Sequence, residues 1–289
     1  VFKITQKQEQ YQTYVLTDLQ AKSQIEVVPE RGAIITRWRV KEEEILYLDQ
    51  ERFAHPELSI RGGIPILFPI CGNLPNNTYT YQNQTYQLKQ HGFARDLPWE
   101  VIETNDNDCA SITLALSSNE QTLMVYPFEF QILFTYQLKG NSLRILQTYS
   151  NQSEAIMPFA SGLHPYFQVE DKNQLQFEIP GTFYQDQVSK ETYPFTGKFD
   201  FTQTEIDVAF TQIDKHHTAV ADLTRKLKIS INYSDCYSTL VFWAIKGKDY
   251  VCLEPWTAPR NALNTKEKLI WLEPGNSYES VVEMNLSYF

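Results

Sequence analysis

Residues 131–149 read QILFTYQLKGNSLRILQTY. Two eight-residue runs, 131–138 and 142–149, are rich in β-branched, aromatic and aliphatic residues, and Lys139-Gly140-Asn141 stands between them as a turn. The stretch therefore predicts an antiparallel hairpin. The same signature extends outward to 112–116 (ITLAL) and then to 25–28, 33–40, 175–179, 227–233, 239–245, 249–253 and 279–286. No long segment repeats its apolar residues at the helical period of about 3.6; 49–55 is expected to form a short helical turn. Strands at short spacing with polar turns between them point to a sandwich or barrel. No linker, repeat or low-complexity tract interrupts residues 1–289, so the expectation is a single all-β domain.

Composition narrows the functional classes. The 289 residues include 35 Asp+Glu against 25 Lys+Arg, a net charge of −10, and 13% are aromatic. An aromatic-rich chain of this length buries a large core without disulfides or a structural metal. The acidic balance argues against nucleic acid as a partner, because such a surface needs cations to replace phosphate counterions. No apolar run reaches the roughly 18 residues of a membrane span. The first residues, VFKITQKQEQYQTYVL, lack the basic-then-apolar plan of a secretion signal. Cys71, Cys109, Cys236 and Cys252 are far apart, with no CxxC pair, and are expected as four reduced, buried thiols of a cytoplasmic protein. On the same ground the N-x-S/T triplets at Asn76, Asn83, Asn151, Asn232 and Asn285 are read as chance.

The chemistry-bearing positions lie where the strand pattern breaks. Residues 61–73 (RGGIPILFPICGN) are apolar yet carry two prolines and three glycines, which suits an irregular buried loop better than a central strand. His91 lies in QHGFAR (90–95), where Gly92 permits close backbone approach. His164 lies in SGLHPYF (161–167), and Pro165 biases it toward an extended backbone. His216 and His217 are adjacent, so they cannot share a metal from one strand, and with Asp214 and Lys215 they read as a solvated loop. Glu254 follows the apolar run Tyr250-Val251-Cys252-Leu253 and precedes Pro255-Trp256. A carboxyl at the end of a buried strand beside an indole is expected to be desolvated, with a raised pKa suited to general-base work. The alternative for Glu254 is a structural pairing with an arginine, and Asp207 could be a turn residue. No G-x-S-x-G elbow, phosphate loop or H-E-x-x-H helix competes.

Four segments together resemble the aldose 1-epimerase (galactose mutarotase) family, particularly its hexose-6-phosphate branch. They are Arg61-Gly62-Gly63-Ile64-Pro65 with Phe68-Pro69, Gln90 to Arg95, Gly162 to Phe167, and Cys252-Leu253-Glu254-Pro255-Trp256. The resemblance covers nearly the whole chain. It implies a β-sandwich of large twisted antiparallel sheets with a cleft on a concave face, and interconversion of the α and β anomers of an aldohexose or hexose 6-phosphate. By the family pattern Glu254 is the base at O1 and His164 the acid at O5, held as a carboxylate–imidazolium pair that mutual burial would favour. Arg61, Gln90, His91, Arg95 and Asp207 match substrate-binding positions, and Trp256, Phe93 and Tyr166 are candidates for the cleft walls. No metal or organic cofactor is implied, and a monomer or weak homodimer is expected. The competing readings are a non-catalytic carbohydrate-binding sandwich and a glycoside hydrolase, the latter requiring two carboxylates around the bond.

Overall fold

The computed structural model describes Val1–Phe289. The hairpin at its centre is formed by strands Phe130–Lys139 and Ser142–Asn151, in unbroken register from Phe130 opposite Asn151 to Lys139 opposite Ser142. Gly140 supplies the left-handed turn residue, with φ of +60°. Around this pair an eight-stranded antiparallel sheet runs in the order 175–178, 217–222, 227–233, 277–288, 142–151, 130–139, 110–117 and 100–105. A second eight-stranded sheet runs in the order 192–194, 183–186, 205–210, 239–245, 250–256, 162–163 and 66–67, with 166–168 also paired to 250–256. A five-stranded sheet holds the N-terminal meander, residues 2–44.

The two large sheets face each other across an aromatic core. Phe177 of the first sheet meets Phe242 of the second, their ring centroids 5.2 Å apart, and Phe199 stacks on Phe242 at 3.8 Å. Around the central hairpin, Phe68 packs edge-on against Phe130, and Tyr149 packs at a tilt against Phe159 with centroids 4.7 Å apart. A polar knot sits inside this core. The Gln147 side-chain oxygen accepts from the hydroxyls of Tyr149, Tyr237 and Ser280, at 2.8, 2.6 and 3.0 Å.

The second sheet is also covered on its other side. All seven residues of Tyr250–Trp256 are buried. Alternation sends Val251 and Leu253 into the main core, while Tyr250 and Cys252 join Tyr166 and Trp243 in a small separate cluster. Register then fixes a continuous face. Asp207 is opposite Trp243, Trp243 opposite Cys252, Val241 opposite Glu254 and Thr239 opposite Trp256. Residues two apart on these strands share a side, so Asp207, Trp243, Glu254 and Trp256 all look outward into one cleft, with Cys252 buried beneath it on the same side.

Each strand expected from the sequence is present, and Gln50–Ala54 is the expected short helix, capped by the Asp49 carboxylate on the Arg52 amide. Several elements carried too little signal. The Thr78–Tyr81/Gln84–Gln87 hairpin turns on Gln82 and Asn83, both at positive φ without a glycine. Helix Glu120–Val125 relies on a capping box between Asn119 and Thr122 rather than on apolar periodicity. His217 begins strand His217–Asp222 instead of lying in a loop, with its Nδ1 2.9 Å from the Asn232 oxygen. Asp207 is inside strand Glu205–Phe210 rather than in a turn. All four cysteines are free, but only Cys71 and Cys252 are buried; Cys109 and Cys236 are half-buried.

Candidate functional site

The 61–73 loop earns its irregularity by reaching across the mouth of the second sheet. Ile66–Leu67 pairs with Gly162–Leu163, which continues to Trp256. Gly92 has φ of +73°, and a Cβ there would collide with the Phe68 carbonyl, so only a glycine lets the 90–95 loop press against the segment that follows strand Ile66–Leu67. This apposition puts the two loops and the outward face of the sheet around one cavity of about 220 Å³. Arg61, Gln90, His91, Arg95, His164, Asp207 and Glu254 all line it, with Tyr166, Trp243, Trp256 and Arg260 among the other walls. Phe93 does not. It turns into the core against Phe68 and Phe130, because the glycine before it reverses the chain.

At the floor, His164 Nε2 lies 3.3 Å from Glu254 Oε1. Both are deeply buried, at 7% and 1% exposure. Glu254 Oε2 accepts the Trp256 indole N–H at 3.2 Å. The His164 ring stacks on Tyr166 with centroids 4.6 Å apart and meets Trp243 edge-on at 5.7 Å. Its amide donates to the Pro65 carbonyl at 3.1 Å, so the 61–73 loop fixes the ring's position.

Burial opposes charge on both partners. It pushes Glu254 well above the usual carboxyl range, reinforced by Asp207 and opposed by Arg260 and Arg95. It pushes His164 well below the usual imidazole range, reinforced by the nearby arginines. Desolvation thus weighs against the expected carboxylate–imidazolium pair, while the 3.3 Å contact between the two groups weighs for it. His91 is likewise pushed down by burial and by Arg95. Its Nδ1 accepts the Gly72 amide N–H at 3.0 Å, which places the proton of the neutral ring on Nε2.

The cations differ in how they are committed. Arg260 Nη2 contacts both Asp207 oxygens, at 2.8 and 2.9 Å. Burial nonetheless raises Asp207 despite this partner. Arg61 lies over the Trp243 ring at 4.9 Å, and Arg95 Nη2 donates to the Gln90 carbonyl at 2.9 Å. Neither Arg61 nor Arg95 forms an ion pair with a carboxylate at contact distance, although Asp96 and Glu254 act on Arg95 at longer range, so both guanidinium groups remain open to an anionic group in the cavity. The Cys252 thiol, a His164 ring nitrogen and a Glu254 oxygen come within 4.8 Å of one another. Three guanidinium groups around the same cavity oppose a cation there, and zinc would want deprotonated ligands that burial disfavours.

Sequence reasoning missed Arg260 and Trp243. Arg260 follows a Thr257-Ala258-Pro259 turn and looks like any surface arginine until Asp207 is found beside it. Trp243 sits in a run buried on both faces, where alternation cannot assign a side; only its pairing with Cys252 does so.

The chain matches the family model described as Aldose 1-epimerase over residues 15–285. Among solved structures it is similar to the Slr1438 protein from Synechocystis sp. PCC 6803, with 46% identity, TM-score 0.96 and full coverage of both chains. A galactose mutarotase-like protein from Clostridium acetobutylicum shares the fold at TM-score 0.85 and 18% identity, covering 100% of this chain and 99% of that one. Protein LacX of Lactococcus lactis is 26% identical over 230 residues, 70% of this chain and 76% of the relative. With the match spanning nearly the whole chain and the mutarotase-like architecture beneath it, this protein belongs to the aldose 1-epimerase family.

Proposed function

We propose that the His164–Glu254 cleft interconverts the α and β anomers of an aldohexose. The observation that carries this reading is the 3.3 Å contact between two buried groups whose protonation preferences are pushed in opposite directions. Opening a pyranose requires a proton to leave O1 while another reaches the ring oxygen. Both oxygens are bonded to C1, so acid and base must stand side by side, as this pair does. Glu254 takes the O1 proton, His164 delivers one to O5, and the C1–O5 bond breaks to give the aldehyde. After rotation about C1–C2, the C5 hydroxyl attacks the other face of C1. His164 recovers its proton from that hydroxyl and Glu254 returns one to O1, so neither residue is consumed.

The pKa directions suit these roles. A carboxylate whose pKa is raised is the stronger base, and an imidazolium whose pKa is depressed is the stronger acid, so each transfer runs with more driving force. Each positioned group supplies roughly 10²–10⁴-fold. Asp207, Gln90 and the neutral His91 Nε2–H supply hydrogen bonds to the sugar hydroxyls, and Trp256, Trp243 and Tyr166 supply apolar walls. A glycosidase is less well supported, because Asp207 is tied to Arg260 and Glu205 accepts the Trp243 indole at 2.7 Å.

The free charge on Arg61 and Arg95 favours an anionic substituent, and a hexose 6-phosphate is the form of substrate that would use it. Exchange spectroscopy between the anomeric proton signals tests the reading. Purified protein is expected to accelerate exchange of glucose or glucose 6-phosphate, and unchanged rates for glucose, galactose and glucose 6-phosphate would refute it. Arg95→Gln is expected to raise KM for the phosphate ester more than for the free sugar.

A further inference from the structure

Glu205 and Asp207 lie two apart on strand Glu205–Phe210, and both line the His164–Glu254 cavity. Asp207 is committed to Arg260, whereas the only side-chain hydrogen bond of Glu205 accepts the Trp243 indole N–H at 2.7 Å. We propose that Glu205 is a positioning residue of this site: through the Trp243 indole it holds the His164 ring and the Arg61 side chain in place together. The kinetic consequence of this role rests on the mutarotase reading; the geometry does not.

Three observations carry it. First, His164 has little else to orient it. Its Nε2 faces Glu254 at 3.3 Å, and its Nδ1 finds no hydrogen-bond partner on another residue. A working imidazole is often aimed by a bond at its second nitrogen, so here packing must set the tilt. Second, Trp243 stands where it can do so. His164 stacks on Tyr166 with ring planes 11° apart, and Trp243 crosses both, at 80° to His164 and 84° to Tyr166, with centroids 5.7 and 5.9 Å away. Third, the same indole carries the Arg61 guanidinium over its ring at 4.9 Å. One aromatic plate therefore touches the proposed acid and a cation of the same cavity.

The hydrogen bond decides which way that plate faces. An indole has one donor and no acceptor. Turning it over about the Cβ–Cγ bond would carry the N–H away from Glu205, so the carboxylate selects one of the two orientations with a charge-assisted bond. Trp243 is buried at the cavity wall, while Glu205 sits at the exposed start of its strand and grips the ring from the rim. Such a grip matters for a reaction in which acid and base must reach two oxygens on one carbon, since a misplacement of about 1 Å can cost about 10²-fold in rate.

Anomer exchange, a mutant cycle, and nuclear Overhauser contacts from the Trp243 ring to His164 and to the Arg61 side chain test the proposal. Glu205→Ala is expected to erase those contacts and to lower kcat for glucose exchange by about ten- to a hundredfold. Glu205→Gln, whose amide oxygen still accepts the indole N–H, should keep the contacts and most of the rate, which separates the hydrogen bond from the charge. In a Trp243→Phe background, which has no N–H to hold, Glu205→Ala should add no further loss. A loss of full size in that background would mean that Glu205 acts on the sugar directly, and would overturn the proposal. Ring contacts that survive Glu205→Ala would also overturn it, as would a Gln variant as slow as the Ala one. A parent that exchanges no sugar, yet loses the ring contacts on Glu205→Ala, would support the positioning role while refuting the mutarotase reading.

Discussion

Glu254→Gln keeps the shape of the side chain and removes its ability to hold a proton, which makes it the sharpest perturbation of the site. Losing a positioned general base is expected to lower exchange by roughly 10²–10⁴-fold, about 2.7–5.4 kcal/mol in the barrier. The amide oxygen of Gln can still accept the Trp256 N–H now 3.2 Å from Oε2, so the fold should survive. Stability supplies an independent sign. Burial raises Glu254 in the folded state above its unfolded value near 4.3. The folded protein therefore holds that proton more tightly, and its stability declines as pH rises from about 4.3 through the folded value. Each unit of upward shift is worth about 1.4 kcal/mol. Gln carries no such liability, so the variant should gain on the parent as pH rises. His164, depressed in the folded state, has the opposite sign: its contribution is complete above about 6.5 and lost as pH falls below it. It is present in both proteins and leaves the difference largely unchanged. Exchange spectroscopy and thermal melts from about pH 4 to 9 read both effects. A variant retaining more than about a tenth of the parent's rate would remove Glu254 as the base. A melting-temperature difference flat across pH would refute the burial argument.

Other outcomes follow from single contacts. Asp207→Asn weakens the two-oxygen contact with Arg260; because both side chains are partly exposed, at 15% and 19%, denaturant titration should show a loss of only about 1 kcal/mol, while sugar affinity falls. Unchanged affinity would remove Asp207 from the binding set. Gly92→Ala forces a Cβ into the Phe68 carbonyl at positive φ, and should destabilise by roughly 2 kcal/mol or more in the same assay. Gln147→Leu strips the acceptor from the buried hydroxyls of Tyr237 and Ser280, while Tyr149 keeps Ser161 Oγ at 2.6 Å, and is expected to cost about 2 kcal/mol or more, read from the melting transition.

Strand identity was legible where side-chain pattern and turn chemistry agreed, as in 131–149, because both are local. Elements held by a turn without glycine, such as Gln82-Asn83, or by a short capping box, such as Asn119 to Thr122, left no comparable local mark. The site was partly legible for a different reason. His91, His164 and Glu254 interrupt apolar or strand-like runs and therefore stand out. Trp243 and Arg260 do not, since their importance depends on partners in other strands. The raised carboxyl of Glu254 was legible from its place at the end of an apolar strand, whereas the burial that depresses His164 shows only once Tyr166 and Trp243 are packed around its ring. Phe93 was misplaced because a glycine turn decides direction, and composition does not.

Gly162 pairs with Leu67 on one side and Trp256 on the other, partners drawn from early and late parts of the chain. The proposed reaction centre thus has no local precursor during folding: neither His164 nor Glu254 acquires its neighbour until three remote segments have been brought together, against the loop-closure entropy of each. Regain of anomer exchange after dilution from denaturant should accordingly lag the recovery of far-ultraviolet dichroism, which reads strand formation over the whole chain. Catalysis would serve as a clock for the last closure of the chain.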